Sequence, residues 1–280
     1  MTAKSDNSLT VSIVSYHSPI TELLTMLSSL VQALTVVRRS DTESELTISL
    51  IDNAEDSRLE LEDFNSLQEA LVSISCEFKL LQGHGNIGYG AAHNLVISKC
   101  RTSYILLMNP DIALEQVSLI TGLRFLADNL EVSAVSPFAA FADGSKQYLC
   151  KRYPSVLNFF LRGFIPHFLR KPFGKRLARF EMQDLAEDQP TLGIPIISGC
   201  FMMCRTSALQ EVGGFNEAYF LYFEDFDLSI RLGKNASLAY LPEMKIVHSG
   251  GHSARKGLKH IRLFITSGKR FFSSHGWRWV

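Results

Sequence analysis

Ser103-Tyr104-Ile105-Leu106-Leu107-Met108-Asn109-Pro110-Asp111 decides how the rest of the chain is read. Residues 104–108 form a short, unbroken apolar run, the pattern of a strand buried on both faces of a parallel sheet. The run stops at Asn109-Pro110, because proline has no amide hydrogen for the ladder and disfavours a helical conformation in the residue before it. Asp111 is therefore expected just past the carboxyl end of a central strand, where open α/β sheets present their ligands.

Working outward, strands are predicted at 9–15, 46–51 and 76–81. Ser18 and Pro19 read as an N-cap and a first helical residue, followed by Ile20, Leu23, Leu24, Leu27, Leu30, Val31 and Leu34 at helical spacing. Phe64, Leu67, Leu71 and Ile74 mark a second helix, and further helices are predicted over 91–100 and 115–128. This alternation predicts an α/β fold, a doubly wound, mostly parallel sheet with right-handed crossovers. Regularity fails after Val135. Phe159, Phe160, Phe164, Phe168, Phe173 and Phe180 then stand among basic residues, which reads as a helical excursion from the sheet. Strand character resumes over 195–204, and short helices are expected at 207–212 and 224–232. Extended pieces follow at 238–241 and 245–248, then a basic helical tail from Lys256 to Gly276.

A chain of 280 residues that is 46% hydrophobic can bury the core of one large domain. No unbroken apolar run approaches the roughly 18 residues of a membrane span, since charges such as Arg124 and Arg162 interrupt the candidates. The first seven residues, Met-Thr-Ala-Lys-Ser-Asp-Asn, lack the apolar core of a secretory signal. Five scattered cysteines suit a reduced, cytoplasmic compartment better than a disulfide framework. The zero formal charge hides a segregation. Residues 144–180 hold nine Lys or Arg and no acid, residues 244–280 hold eight and no acid, and the remainder carries −17. Such asymmetry points to an anionic partner at the basic segments. Nucleic acid is a poor candidate, because no recognised binding motif accompanies the charge.

Three acidic positions fall where a sheet would present ligands: Asp52, Asp111 and the cluster Glu224-Asp225-Phe226-Asp227. Asp52-Asn53 reads equally as a turn. Acids at a helix start favour the positive end of the dipole, yet three in four residues exceed what capping needs and imply a cation, a ligand or water to offset their repulsion. His248, at a strand end, is a candidate metal ligand or a structural histidine. Gly83-His84-Gly85-Asn86-Ile87-Gly88 matches the dinucleotide fingerprint literally, but it comes third in the βα series and would leave Glu224-Asp225 unexplained. Its helix N-terminus can still face a phosphate. Cys200 with Cys204, and His248 with His252, lack the ligand sets of zinc sites, and no nucleophile elbow is present.

Val11-Ser-Ile-Val-Ser-Tyr16, Ile51-Asp-Asn53, Gly85-Asn-Ile-Gly-Tyr-Gly-Ala-Ala-His-Asn94, Asn109-Pro-Asp111, Ser198-Gly-Cys200 and Phe223-Glu-Asp-Phe-Asp227 occur in an order that resembles the family-2 inverting glycosyltransferases of GT-A fold, most of all the bacterial rhamnosyltransferases. The resemblance implies a transferase domain over 1–250, with a nucleotide-sugar half at 1–112 and an acceptor half at 113–250, plus a basic tail over 251–280. It further implies a nucleotide-sugar donor, dTDP-rhamnose for preference, contacted by Ser15, Asp52, Asn53, Asn86, Gly88, Asn109 and Asp111. A divalent cation, Mg or Mn, would sit on Asp111 with His248. Asp225 would be the base, Glu224 would orient it or the acceptor, and Gly199, Cys200 and Tyr222 would meet the acceptor. Where the family often has Asp-x-Asp, the first position here is Asn109, which permits weaker metal dependence. The Gln/Arg-x-x-Arg-Trp motif of processive synthases is absent, which implies one sugar per encounter. The expected acceptor is a hydroxyl of a cell-surface polysaccharide or a glycolipid, such as a lipid-linked sugar or a lipopolysaccharide core, met on the inner face of the cytoplasmic membrane. The alternatives are a sugar-nucleotide nucleotidyltransferase, which should show a glycine- and lysine-bearing N-terminal loop that residues 11–18 lack, and a non-catalytic nucleotide-sugar-binding protein, which would need no base.

Overall fold

A computed structural model describes residues 7–56, 59–249 and 257–280. His252 and Lys256 lie outside the described residues, as do the side chains of Phe164 and Phe168. The chain runs β1 (Leu9–Ser15), α1 (Ile20–Ser40), β2 (Leu46–Asp52), a 3-10 turn (Leu61–Leu67), α2 (Gln68–Ser73), β3 (Cys76–Leu81), α3 (Tyr89–Ile97), β4 (Tyr104–Met108), β5 (Ile112–Leu114), α4 (Ser118–Asp128) and β6 (Val132–Ala140). It continues with β7 (Lys146–Gln147), β8 (Cys150–Lys151), α5 (Val156–Phe164), a second 3-10 turn (His167–Phe173), α6 (Gly174–Phe180), β9 (Thr191–Leu192), β10 (Ile196–Ile197), β11 (Phe201–Arg205), α7 (Thr206–Glu211), α8 (Glu224–Leu232), β12 (Ser237–His248) and α9 (Leu258–His275).

The main sheet has the order β3-β2-β1-β4-β11-β6-β12-β5. The first four strands are parallel, as the alternation predicts, and β11 enters antiparallel between β4 and β6. Every residue of β1, β2 and β4 is buried; β4 reads as an unbroken apolar run, whereas β1 and β2 alternate apolar residues with the buried hydroxyls of Thr10, Ser12, Thr47 and Ser49. One face of the sheet is covered by α1 and α4, the other by α3, α7 and α8. α1 is long and apolar enough to cross a bilayer, yet Leu23, Met26, Leu27, Leu30, Val31 and Leu34 are buried in the core, as expected of a helix that covers a sheet.

Several local expectations shift. Pro19 is the N-cap of α1 rather than its first residue, and Ser18 makes no side-chain cap. The second helix is half 3-10 turn. The helix expected over 115–128 begins only at Ser118, because Ile112–Leu114 is drawn into a strand by pairing with the end of β12. The pieces at 238–241 and 245–248 are one strand with a register shift between Leu241 and Lys245.

The two acid-free segments, far apart in sequence, form one body. Val156 and Leu157 donate to the carbonyls of Arg278 and Trp279. Phe159 packs edge-on against Phe264 and Phe223, and the Phe271 and Phe272 rings complete an aromatic cluster under α9.

His93 shows what burial does to a titrating group in this core. It is 0% exposed, with Nδ1 2.8 Å from the Ser12 hydroxyl and its ring stacked on Phe215. Desolvation holds the imidazole down at about 3, against an ordinary value of 6.5. Between those values the unfolded chain takes up a proton that the folded chain refuses. Stability present above pH 6.5 is therefore lost as pH falls, by up to about 1.4 kcal/mol per unit. Urea midpoints measured from pH 7.5 to 5 should fall less steeply in His93→Gln than in the parent. Parallel declines would contradict this assignment.

Candidate functional site

Register gathers the site at one edge of the sheet. Ser15 pairs with Asp52, and Met108 pairs both with Ile13 and with Phe201, so β1, β2 and β4 end where β11 begins. The Asn109 amide donates to the Cys200 carbonyl at 2.8 Å, which ties the Asn109-Pro-Asp111 turn to the 198–200 loop. Above this edge lies a cleft of about 470 Å³, reached by Tyr16, Asn53, Asn86, Asp111, Phe220 and Lys259.

The near wall is a hydrogen-bonded turn. Asn53 donates to the Asn86 side chain and accepts from the Ile87 amide, while Asn86 accepts from the Gly88 amide. Gly88 has φ of +91°, and a Cβ there would stand 2.5 Å from the Phe220 carbonyl, so no other residue lets α3 start against that loop. Ser15 and Asp52, expected to touch the nucleoside, are 1% and 3% exposed; Asp52 Oδ1 accepts from the Ala54 amide, and Val14, Tyr16 and Asn53 form the cleft wall at this point.

Asp111 and His248 are brought together by the β5–β12 pair, in which His248 stands opposite Ile112. His248 Nε2 lies 3.3 Å from Asp111 Oδ1, and its Nδ1 is 2.8 Å from Gln147 Oε1. Among the described residues no group of three or more His, Cys, Asp or Glu converges as a closed metal site. A carboxylate in the cleft wall with an imidazole beside it still fits a hard cation that takes its remaining ligands from phosphate oxygens and water.

Asp225 comes to the same edge from the other half of the chain. Tyr222 and Phe223 are both left-handed (φ 69° and 66°), a turn that starts α8 abruptly. Phe223 is pinned in the aromatic cluster, and the Tyr222 hydroxyl lies 3.0 Å from His260 Nδ1. Ser229 anchors the helix to β10 by exchanging hydrogen bonds with Ile197. Asp225 Oδ2 then accepts from the Gly199 amide at 3.0 Å and Oδ1 from the Phe226 amide at 2.9 Å. Burial raises the Asp225 carboxyl above its usual range; the two amides and the charge of Lys151 pull the other way.

Tyr89 lies within electrostatic reach of the acids. Its hydroxyl donates to the Gly199 carbonyl at 2.7 Å. Burial pushes its phenol well above 10, and the charges of Cys200, Glu224, Asp225 and Asp111 add to the effect. Glu224 is buried beside Asp225. Asp227 is not part of the site: Arg231 Nε and His275 Nε2 each lie 2.8 Å from its carboxylate, so it locks α9 onto α8. The acid cluster thus divides into two acids at the candidate site and one structural anchor. Cys200 is a buried thiol pushed up to about 12, unsuited to act as a nucleophile.

Sequence inspection missed Tyr89, Gln147, Lys151 and Lys259. Only Tyr89 carried a signal, by its place in the glycine-rich motif.

No family model matches the chain. It is 28% identical over 225 residues to the N-acetylglucosaminyl-diphospho-decaprenol L-rhamnosyltransferase of Mycobacterium tuberculosis, covering 76% of this chain and 69% of that one. It is 27% identical over 182 residues to rhamnosyltransferase WbbL of Escherichia coli, covering 61% and 64%. Among solved structures it superposes on GalNAc-T7 with UDP, GalNAc and Mn2+ at a TM-score of 0.61 and 12% identity, over 96% of this chain but only 51% of that one. The mannosyltransferase PcManGT of Pyrobaculum calidifontis with GDP-Man and Mn2+ gives 0.54 and 14%, over 90% and 61%. In fold this chain is of the GT-A type, and in sequence it is similar to rhamnosyltransferases of two bacteria.

Proposed function

We propose that the protein is an inverting glycosyltransferase that moves one sugar, L-rhamnose from dTDP-rhamnose for preference, to a hydroxyl of a saccharide or glycolipid acceptor. The observation that carries this reading is the convergence of Asp111 and Asp225 on one sheet edge, linked through Asn109, Cys200 and Gly199. The nucleotide lies in the cleft against Asn53, Asn86 and Gly88, with its diphosphate toward Asp111 and Lys259. Asp225 accepts the acceptor's hydroxyl proton as that oxygen attacks the anomeric carbon. Its two amide partners orient the carboxylate and leave lone pairs on both oxygens for the incoming hydroxyl. Tyr89 holds the Gly199 peptide in place beneath it. A divalent cation held by Asp111 and His248 would neutralise charge gathering on the departing diphosphate. A thermal-shift screen of nucleotide sugars, with and without Mg or Mn, tests the reading. At a hundredfold excess over Kd a true donor adds about 2.7 kcal/mol of stability. No shift with any deoxysugar nucleotide would refute it.

The acceptor is reached at an anionic membrane surface, on the inner face of the cytoplasmic membrane. α9 supports this: Lys259, His260 and Leu263 line the cleft, while Leu258, Ile261 and Ile265 are exposed beside Arg262 and Lys269. Trp277 and Trp279 stack at 5.2 Å with both rings open to solvent, a residue type favoured at lipid interfaces. Near an anionic bilayer each Lys or Arg contributes about 1 kcal/mol. The protein should sediment with phosphatidylglycerol vesicles, and stay in solution with neutral vesicles or in high salt. Sedimentation indifferent to lipid charge and salt would count against the surface.

A further inference from the structure

The turn that launches α8 is strained. Tyr222 and Phe223, at φ 69° and 66°, stand in the left-handed region directly before Glu224 and Asp225. Aromatic residues hold that conformation only where their surroundings impose it, and such strain gathers where a geometry matters to function. Here the geometry is the aim of Asp225, whose Oδ2 accepts from the Gly199 amide at 3.0 Å. What imposes the turn is therefore what points the candidate base.

Most of the restraint comes from α9. The Ser267 hydroxyl donates to the Leu221 carbonyl at 2.8 Å. A helical serine ordinarily returns its hydroxyl to a carbonyl of its own preceding turn; this one, 5% exposed, reaches a loop 46 positions away. Next along the turn, the Tyr222 hydroxyl lies 3.0 Å from His260 Nδ1. The Phe223 ring then packs on Phe264 and Phe271 at 5.1 and 5.4 Å between centroids. Gly268 lets the helix approach this closely, since a Cβ there would stand 3.2 Å from the Phe223 ring. Phe220 alone is held from the opposite side, its carbonyl accepting from the Tyr89 amide at 3.1 Å. The aromatic cluster by itself would bury α9. The polar contacts add direction, and they fall on the residues that set where α8 starts.

We propose that Ser267 is a positioning residue for the transfer: through the Leu221 carbonyl it holds the left-handed turn that aims Asp225, which makes the C-terminal helix part of the catalytic apparatus. The assignment rests on the transferase reading. Ser267→Ala keeps a good helix former and removes only the hydroxyl. With dTDP-rhamnose as donor and octyl N-acetylglucosaminide as acceptor, its kcat should fall about tenfold or more, the scale of a slight misplacement of a reacting group, while dTDP affinity by calorimetry stays within about twofold of the parent's. Ser267→Thr, which retains the hydroxyl, should recover most of the rate. Gly268→Ala, which presses on Phe223 and leaves the Leu221 carbonyl its partner, should show the same split and serves if Ser267→Ala does not fold. Hydrogen exchange read by mass spectrometry follows the geometry without turnover: in Ser267→Ala, peptides covering 196–201 and 219–227 should exchange faster, and those of α1 and α4 should not. Parental kcat in Ser267→Ala, a rate loss matched by an equal loss of dTDP affinity, or unchanged exchange over 219–227 overturns the assignment. Faster exchange there in a protein whose parent transfers no sugar would instead sink the transferase reading alone.

Discussion

Asp225→Asn is expected to lower turnover at least ~10²-fold while nucleotide-sugar affinity changes little, the usual scale of a lost general base. Asparagine keeps the shape and one acceptor oxygen, so it can serve only one of the Gly199 and Phe226 amides. The other then faces an amide nitrogen, at a cost of about 1–3 kcal/mol in stability. Melting temperature and donor affinity must accordingly be measured beside rate. A variant that binds donor normally, is modestly destabilised and does not turn over is the expected result. Full turnover would remove Asp225 from the role. The parent enzyme's pH profile bears on the same point. Burial raises the Asp225 carboxyl, and a base must be ionised to act. The acid limb of kcat/KM should therefore lie above the ordinary carboxylate range, with activity falling as pH drops through that raised value.

Asp111→Ala should cost ~10²–10³-fold in turnover, the scale seen when one preorganised electrostatic partner of a charged transition state is removed. The carboxylate lines the cleft 3.3 Å from His248, where the diphosphate is expected. The distinguishing readout is binding. In the parent protein, Mg or Mn should increase the thermal stabilisation given by the nucleoside diphosphate; in Asp111→Ala that increment should vanish, while the metal-free increment persists. An unchanged metal increment would place the cation elsewhere. Asn109, standing where the family often has an acid, leaves the metal to fewer protein ligands, so a measurable metal-free rate in the parent is compatible with this account.

The parts of this site that were legible in the sequence are those specified locally. Residues 104–111 announced a buried strand and its stop because apolar packing and proline both act within a few residues. The cluster at 224–227 stood out because three acids in four residues at a helix start exceed what capping needs. The parts that were not legible depend on long-range register. His248 meets Asp111 because β5, three residues long, pairs antiparallel with β12; the resemblance implied that pair, but no local pattern specified it. Asp227 was grouped with its neighbours although Arg231, at i+4, was a visible partner; its other partner, His275, lies 48 positions on. Lys151 lies on a two-residue strand, too short for any periodicity, and its place opposite Ile196 follows from the β8–β10 pairing. The segregation of charge was plain, but that its two acid-free segments interlock through Phe159, Phe264 and the 278–279 backbone was not.

A crystal structure with a non-transferable dTDP-rhamnose analogue and Mn is the most direct trial of the account, since manganese is located independently by its anomalous scattering. The metal should appear between Asp111, His248 and the diphosphate, with the anomeric carbon turned toward Asp225 and room for one hydroxyl between them. A nucleotide seated away from Asp111, or an anomeric carbon facing away from Asp225, would contradict it.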